Sequence, residues 1–135
     1  MGTREAAALR DALVDRLKAS GAVRSPAVER AIRDVPRERF LPRDLPPAQA
    51  YADRAVTLSE DDQGFPASTA SQPTIVALML EQLDVRPEHR VLEIGTASGY
   101  NAALLAHLAE RVVSLEIDPA LAARAARRLG PAVDV

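Results

Sequence analysis

The chain has 135 residues, a formal net charge of −2, 47% hydrophobic and 27% charged residues, and no cysteine. One domain's length with this balance excludes a disordered chain, and the lack of cysteine excludes a disulfide framework and cysteine-based zinc sites. The charge gives no nucleic-acid footprint, and no apolar run approaches the roughly 20 residues that span a membrane.

The opening stretch "MGTREAAALRDALVDRLK" interleaves acids and bases with leucine, so it lacks the apolar core of a signal peptide, and a cytoplasmic location is expected. Gly2 follows Met1 as in myristoylation motifs, but alanine stands at position 6, where serine or threonine is wanted. Leu9, Leu13 and Leu17, spaced by four, predict an amphipathic helix that stops at Gly21. Ser25-Pro26 then supplies an N-cap and a first-turn proline, and Val28, Ile32 and Val35 continue at helical spacing until Pro36. The segment 36–70 carries prolines at 36, 42, 46, 47 and 66 and no sustained period, and it reads as loop with brief extended pieces. Loops of such length are usually functional or mobile.

From residue 71 the pattern sharpens. Pro73 sits in a first turn, and Ile75, Val76, Met79, Leu80 and Leu83 make a helical stripe. "RVLEI" (90–94) is a short strand, 99–109 a helix, "RVVSLEI" (111–117) a second strand, and Asp118-Pro119 caps a helix over 119–129 that ends at Gly130. Strand, helix, strand, helix predicts an α/β fold with a doubly wound parallel sheet, preceded by a small helical region. The chain therefore divides into a helical pair with a loop region, 1–70, and a ligand-binding α/β region, 71–135.

Ligands of such sheets lie at the carboxyl ends of the strands, against the first helix N-terminus. That place is Gly95-Thr96-Ala97-Ser98-Gly99. The dinucleotide fingerprint G-x-G-x-x-G would need glycine where Ala97 and Tyr100 stand, which argues against a dinucleotide. The remaining pattern, E-x-G-x-x-x-G after "VL", resembles the acidic-glycine loop of S-adenosylmethionine methyltransferases. A cofactor without phosphate asks less of bare backbone N–H groups, so a methyl at Ala97 is tolerable. Glu116 follows Gly95 by twenty-one positions, where an acid accepts hydrogen bonds from ribose hydroxyls. Glu93 reads either as a structural acid or as a direct ligand. His89 and His107 lack matching partners, Asp61-Asp62 reads as a solvated loop, and no metal site is predicted.

Several stretches together resemble the protein-L-isoaspartate O-methyltransferase family: "AIRDVPRERFLP" (31–42), "AYADRAVTL" (50–58), "TASQPTIVALMLEQL" (69–83), "RVLEIGTASGYNAALLAHL" (90–108) and "VVSLEIDP" (112–119). The resemblance covers nearly all of residues 10–130 and implies a Rossmann-like class I methyltransferase fold, of which this chain holds the N-terminal half. It implies Ser71 as the active-site serine, and Thr69, Ala70, Ser71 and Gln72 lining cofactor and substrate. Glu93, Gly95, Thr96, Ala97, Gly99, Glu116 and Ile117 are implied around S-adenosylmethionine.

There are departures from the family pattern. Ala97 stands where the family often has glycine, and "SEDDQGFPASTA" is longer and more acidic than its turn before the serine. In that lengthening the chain is similar to methyltransferases of ribosomal-peptide pathways, including lanthipeptide ones, which act on aspartate side chains. The resemblance implies a carboxyl O-methyltransferase for isoaspartyl or aspartyl residues of a protein or peptide. A non-catalytic S-adenosylmethionine-fold module is the competing class. The family also continues beyond residue 135, so "AVDV" (132–135) is expected to begin a third strand, with the strand at 91–94 on an open edge. Self-association, or a second chain completing the sheet, is the expected consequence.

Overall fold

The computed structural model describes residues 3–135, so Met1 and Gly2 of the myristoylation-like start lie outside the described residues. Leucine spacing by four gives α1 (Thr3–Ala19) one apolar face, on which Leu13, Val14 and Leu17 are buried. Helix α2 (Pro26–Asp34) starts as its sequence requires: the Ser25 hydroxyl accepts the Val28 N–H at 3.3 Å and Pro26 occupies the first turn. Val28, Ala31 and Ile32 then face the core.

Segment 36–70 is more ordered than its prolines suggest. It holds a 3-10 turn (Arg37–Phe40), a single-turn helix α3 (Pro47–Ala50), and an antiparallel pair, β1 (Val56–Glu60) and β2 (Pro66–Ala70). The extended pieces are thus two strands of one hairpin. Its loop is held by Asp61, whose carboxylate accepts the N–H groups of Gln63 and Phe65 at 2.9 Å each. Pro66 takes the first position of β2, where a missing N–H does least harm.

Helix α4 (Pro73–Leu83) follows the hairpin directly. Its predicted stripe splits in two. Val76 and Leu80 are buried, whereas Ile75, Met79 and Leu83 are exposed. Strand β3 (Arg90–Ile94), helix α5 (Tyr100–Leu108), strand β4 (Arg111–Leu115) and helix α6 (Pro119–Leu129) complete the α/β region at nearly the expected boundaries. Asp118 caps α6 by accepting the N–H groups of Ala120 and Leu121 at 2.8 and 3.3 Å. Strand β4 stops at Leu115, so Glu116 and Ile117 lie just past it.

Strands β3 and β4 pair in parallel, from Arg90 opposite Arg111 to Ile94 opposite Leu115. Asp134 adds a parallel bridge on the far side of β4, donating its N–H to Val112 O at 3.0 Å while its carbonyl accepts the Ser114 N–H at 2.7 Å. The predicted third strand therefore begins where expected, and β3 has no strand on its other side among the described residues. Alternation along the strands sends Val112 and Ser114 into the core and leaves Leu92, Ile94 and Leu115 exposed. One face of the sheet is covered and the other is bare. The core itself is continuous from Leu13 and Ile32 through Leu104 and Val112 to Leu129.

Candidate active site

Two segments meet at one cavity. Strand β2 ends at Ala70 and delivers Ser71 just before α4, while β3 ends at Ile94 and delivers the glycine turn. Between them lies a cavity of about 240 Å³, lined by Thr69, Ala70, Ser71, Glu93, Gly95, Thr96 and Ala97 among others.

The turn is shaped by positive φ angles. Gly95 has φ +91° and Gly99 φ +90°, values that a side chain resists. A Cβ at Gly95 would meet nothing within 4 Å, so the chain leaves open space there. Gly99 is the opposite case: a Cβ would stand 3.3 Å from Leu129 Cδ1 and 3.4 Å from Ala125 Cβ, so its bareness lets α5 start against α6. Between them Ala97 adopts φ +49°, the left-handed region, with a methyl attached.

Carboxylates and hydroxyls fix this turn. Glu116 accepts the Ala97 N–H at 2.9 Å, tying the carboxyl end of β4 to the turn. Glu93 accepts from Ser114 Oγ at 2.5 Å and from Asn101 Nδ2 at 2.7 Å, and Ser114 Oγ lies 2.6 Å from Thr96 Oγ1. Burial pushes the Glu93 carboxyl above the usual carboxylate range, the two hydrogen bonds oppose that, and the nearby Glu116 charge adds to it. Glu93 is thus engaged by side chains of β4 and α5 while one edge lines the cavity.

Not every expected residue lies on this cavity. Thr69, Ala70 and Ser71 do line it, Thr69 and Ser71 as exposed residues and Ala70 as a buried one. Gln72 forms the N-cap position of α4, Gly99 packs against α6, Glu116 braces the turn from β4, and Ile117 is 98% exposed. Residues that the sequence did not single out complete the wall, chiefly Arg37, Met79, Tyr100 and Asn101. Asn101 is the second residue of α5, two positions after the glycine turn, and that place is its signal. Arg37 gave none, because its place depends on three separate elements. Its Nε donates to Ala50 O and its Nη2 to Ser71 O, each at 3.0 Å, and its guanidinium carbon stands 5.0 Å from the centre of the Tyr100 ring.

The arrangement suits a nucleoside without phosphate groups. Open space at Gly95, an acid at the neighbouring strand end and no lysine in the turn fit S-adenosylmethionine better than a pyrophosphate. Among the described residues no group of three His, Cys, Asp or Glu side chains is placed to hold a metal ion, and no helix is long and apolar enough to cross a membrane.

Comparison with known proteins agrees with this geometry. The family model of protein-L-isoaspartate(D-aspartate) O-methyltransferase matches residues 8–132. A Protochlamydia amoebophila protein-L-isoaspartate O-methyltransferase is 43% identical over 117 residues, covering 87% of this chain and 52% of its own length. The Anaeromyxobacter sp. (strain Fw109-5) protein-L-isoaspartate O-methyltransferase 1 is 49% identical over 112 residues, 83% of this chain and 50% of its own. A solved protein-L-isoaspartate O-methyltransferase superposes with a TM-score of 0.81 at 32% identity, over 93% of this chain and 40% of that one. A Plasmodium falciparum chain solved in complex with S-adenosyl-L-homocysteine shares the fold, with a TM-score of 0.73 at 22% identity, over 89% of this chain and 54% of its own. The chain spans about half the length of the curated relatives it matches.

Proposed function

The chain belongs to the protein-L-isoaspartate(D-aspartate) O-methyltransferase family, and from that premise we propose that it serves S-adenosylmethionine-dependent methyl transfer to isoaspartyl or aspartyl carboxylates of a protein or peptide. The observation that carries this reading is the meeting of Ser71 and the Gly95–Gly99 turn at one cavity. The relatives' names support isoaspartyl residues as the acceptor over a ribosomal-peptide aspartate. A cytoplasmic location fits this substrate class, and the bare sheet face favours self-association or a second chain that covers it.

Each side chain has work that matches its place. Glu116, with lone pairs left beyond those used by the Ala97 and Asp118 N–H groups, accepts hydrogen bonds from ribose hydroxyls. Glu93 keeps α5 and β4 in register with the turn through Asn101 and Ser114. Thr69, Ala70 and Gln72 shape the path between cofactor and acceptor, and Ile117 gives the adenine an apolar contact. When bound, S-adenosylmethionine supplies an activated methyl group. The acceptor carboxylate is ionised at neutral pH, since such groups titrate near ~4, so no general base is required. The Ser71 hydroxyl, exposed at the mouth of the cavity, orients that carboxylate by donating a hydrogen bond. Ser71 is not a nucleophile in this reading, because neither His89 nor His107 lies on the cavity. What remains is holding the reacting groups in line and away from water.

The test is labelled S-adenosylmethionine offered to an isoaspartyl peptide, an aspartyl peptide and a cyclic precursor peptide in parallel. Label in the isoaspartyl peptide is expected first, and Ser71→Ala should lower turnover more than cofactor affinity. A native chain that labels nucleic acid or small metabolites but no peptide carboxylate would sink the reading.

A further inference from the structure

Among the described residues Arg37 is the one cation of the cavity wall, and it is fully buried at 0% exposure. Two of its three nitrogens are spent on the carbonyls of Ala50 and Ser71, and Nη1 has no hydrogen-bond partner among the described residues. Among the described residues no carboxylate forms an ion pair with it. The groups whose fields reach it are Tyr100, Tyr51 and Asp53, and burial outweighs all three, lowering its pKa below the usual guanidinium value. A guanidinium nonetheless stays protonated in a protein.

Two carbonyls would be served equally well by a neutral donor. A buried positive charge is instead strongly unfavourable unless an anion compensates it. The Tyr100 ring face returns only part of that cost. Arg37 lines the cavity in front of Ser71, whose carbonyl its Nη2 already holds.

We propose that Arg37 is the counter-charge for a carboxylate bound in this cavity. The inference rests on the methyltransferase reading above, which provides two carboxylates of the same chemistry: the amino-acid end of the cofactor and the acceptor on the peptide. A cation at this place favours either ligand in its anionic form. For the acceptor it also favours the reactant over the product, because methylation converts a carboxylate into a neutral ester that Arg37 no longer attracts. Its contribution then falls on binding and on product release, while the Ser71 carbonyl contact keeps the serine segment in place.

Calorimetry on the full 135-residue chain tests this with two ligand pairs. One arm compares S-adenosylhomocysteine with its carboxamide. The other, at saturating S-adenosylhomocysteine, compares an isoaspartyl peptide with its carboxamide counterpart. In at least one arm the native chain should bind the acid about tenfold more tightly than the amide, as a hydrogen bond to a charged group predicts. Arg37→Gln should remove that preference while leaving amide binding unchanged, and Arg37→Lys should keep most of it. The arm that responds identifies which carboxylate is held. A native chain that binds acid and amide equally in both arms overturns the proposal without any variant. Equal weakening of acid and amide in Arg37→Gln overturns it too, leaving Arg37 as a brace for Ser71. Failure of the native chain to bind S-adenosylhomocysteine or its amide is a different result, which sinks the underlying reading and this inference together.

Discussion

Ala97 is the residue at which local conformation and chemistry pull apart. A left-handed backbone costs a non-glycine residue about 1–2 kcal/mol, and helix C-caps such as Asp84, at φ +48°, are where that conformation is common. Ala97 has no such excuse, so the turn itself imposes its φ of +49°. Ala97→Gly should relieve the strain, offset by the greater freedom of glycine in the unfolded chain, for a net gain of ~0.5–1 kcal/mol. A rise in the urea midpoint at unchanged slope would show it. Glu116 makes the complementary case. Its carboxylate holds the Ala97 N–H at 2.9 Å, so Glu116→Ala loosens the turn and removes the ribose acceptor at once. Affinity for S-adenosylhomocysteine should fall by about 1–3 kcal/mol. Calorimetry showing native affinity in that variant would leave Glu116 as a brace only.

Between elements, the junction of α4 with the start of α2 rests on one carboxylate. Glu81 accepts the N–H groups of Arg24 and Ser25 at 2.8 Å each and the Ser25 hydroxyl at 3.1 Å. Partial burial alone would raise its pKa, but the amides of Ser25 and Arg24 outweigh that and hold it below the usual carboxylate range. A lowered folded pKa means stability that is fully present above the unfolded value and is lost as pH falls through the folded one. Glu81→Gln should therefore cost ~1–2 kcal/mol at pH 7, discounted for partial exposure, and progressively less below about pH 4. Thermal melts between pH 3 and 7 would reveal the converging curves, and parallel ones would discard the idea. The same elements show what a sequence can and cannot tell. Helix α6 was legible end to end because Asp118-Pro119 and Gly130 act locally, and β3 because an apolar run meets a glycine. The β1–β2 hairpin was not, since its strands are half exposed and its register is interrupted after Thr57 and after Ser59. Nor was Arg37, whose meaning comes from Ala50, Ser71 and Tyr100, far apart in the chain.

At the scale of the molecule the unresolved physical demand is the bare face of the sheet. Leu92, Ile94 and Leu115 are 61%, 74% and 51% exposed on strands of a type normally covered on both faces. Met79 lines the same cavity as Ile94, and Ile75 and Leu83 are exposed on the same helix. Surfaces of that kind are association sites, and an unpaired β3 edge adds main-chain donors and acceptors to the attraction. The 135-residue chain alone should accordingly self-associate at micromolar concentration, with a light-scattering mass above 14.5 kDa. Each large apolar side chain removed from water at such a contact contributes up to about 1.5–3 kcal/mol, so the double change Leu92→Thr and Ile94→Thr should shift the chain toward monomer. Threonine has the β-branched shape that strands favour, and neither side chain belongs to the buried core, so folding is expected to survive. Cofactor affinity measured alongside separates the roles of this surface: Ile94 lines the cavity and Leu92 does not, so Leu92→Thr alone should lower the mass while affinity holds. A native chain that stays monomeric at high concentration, with no binding of hydrophobic dye, would mean that the face is tolerated bare.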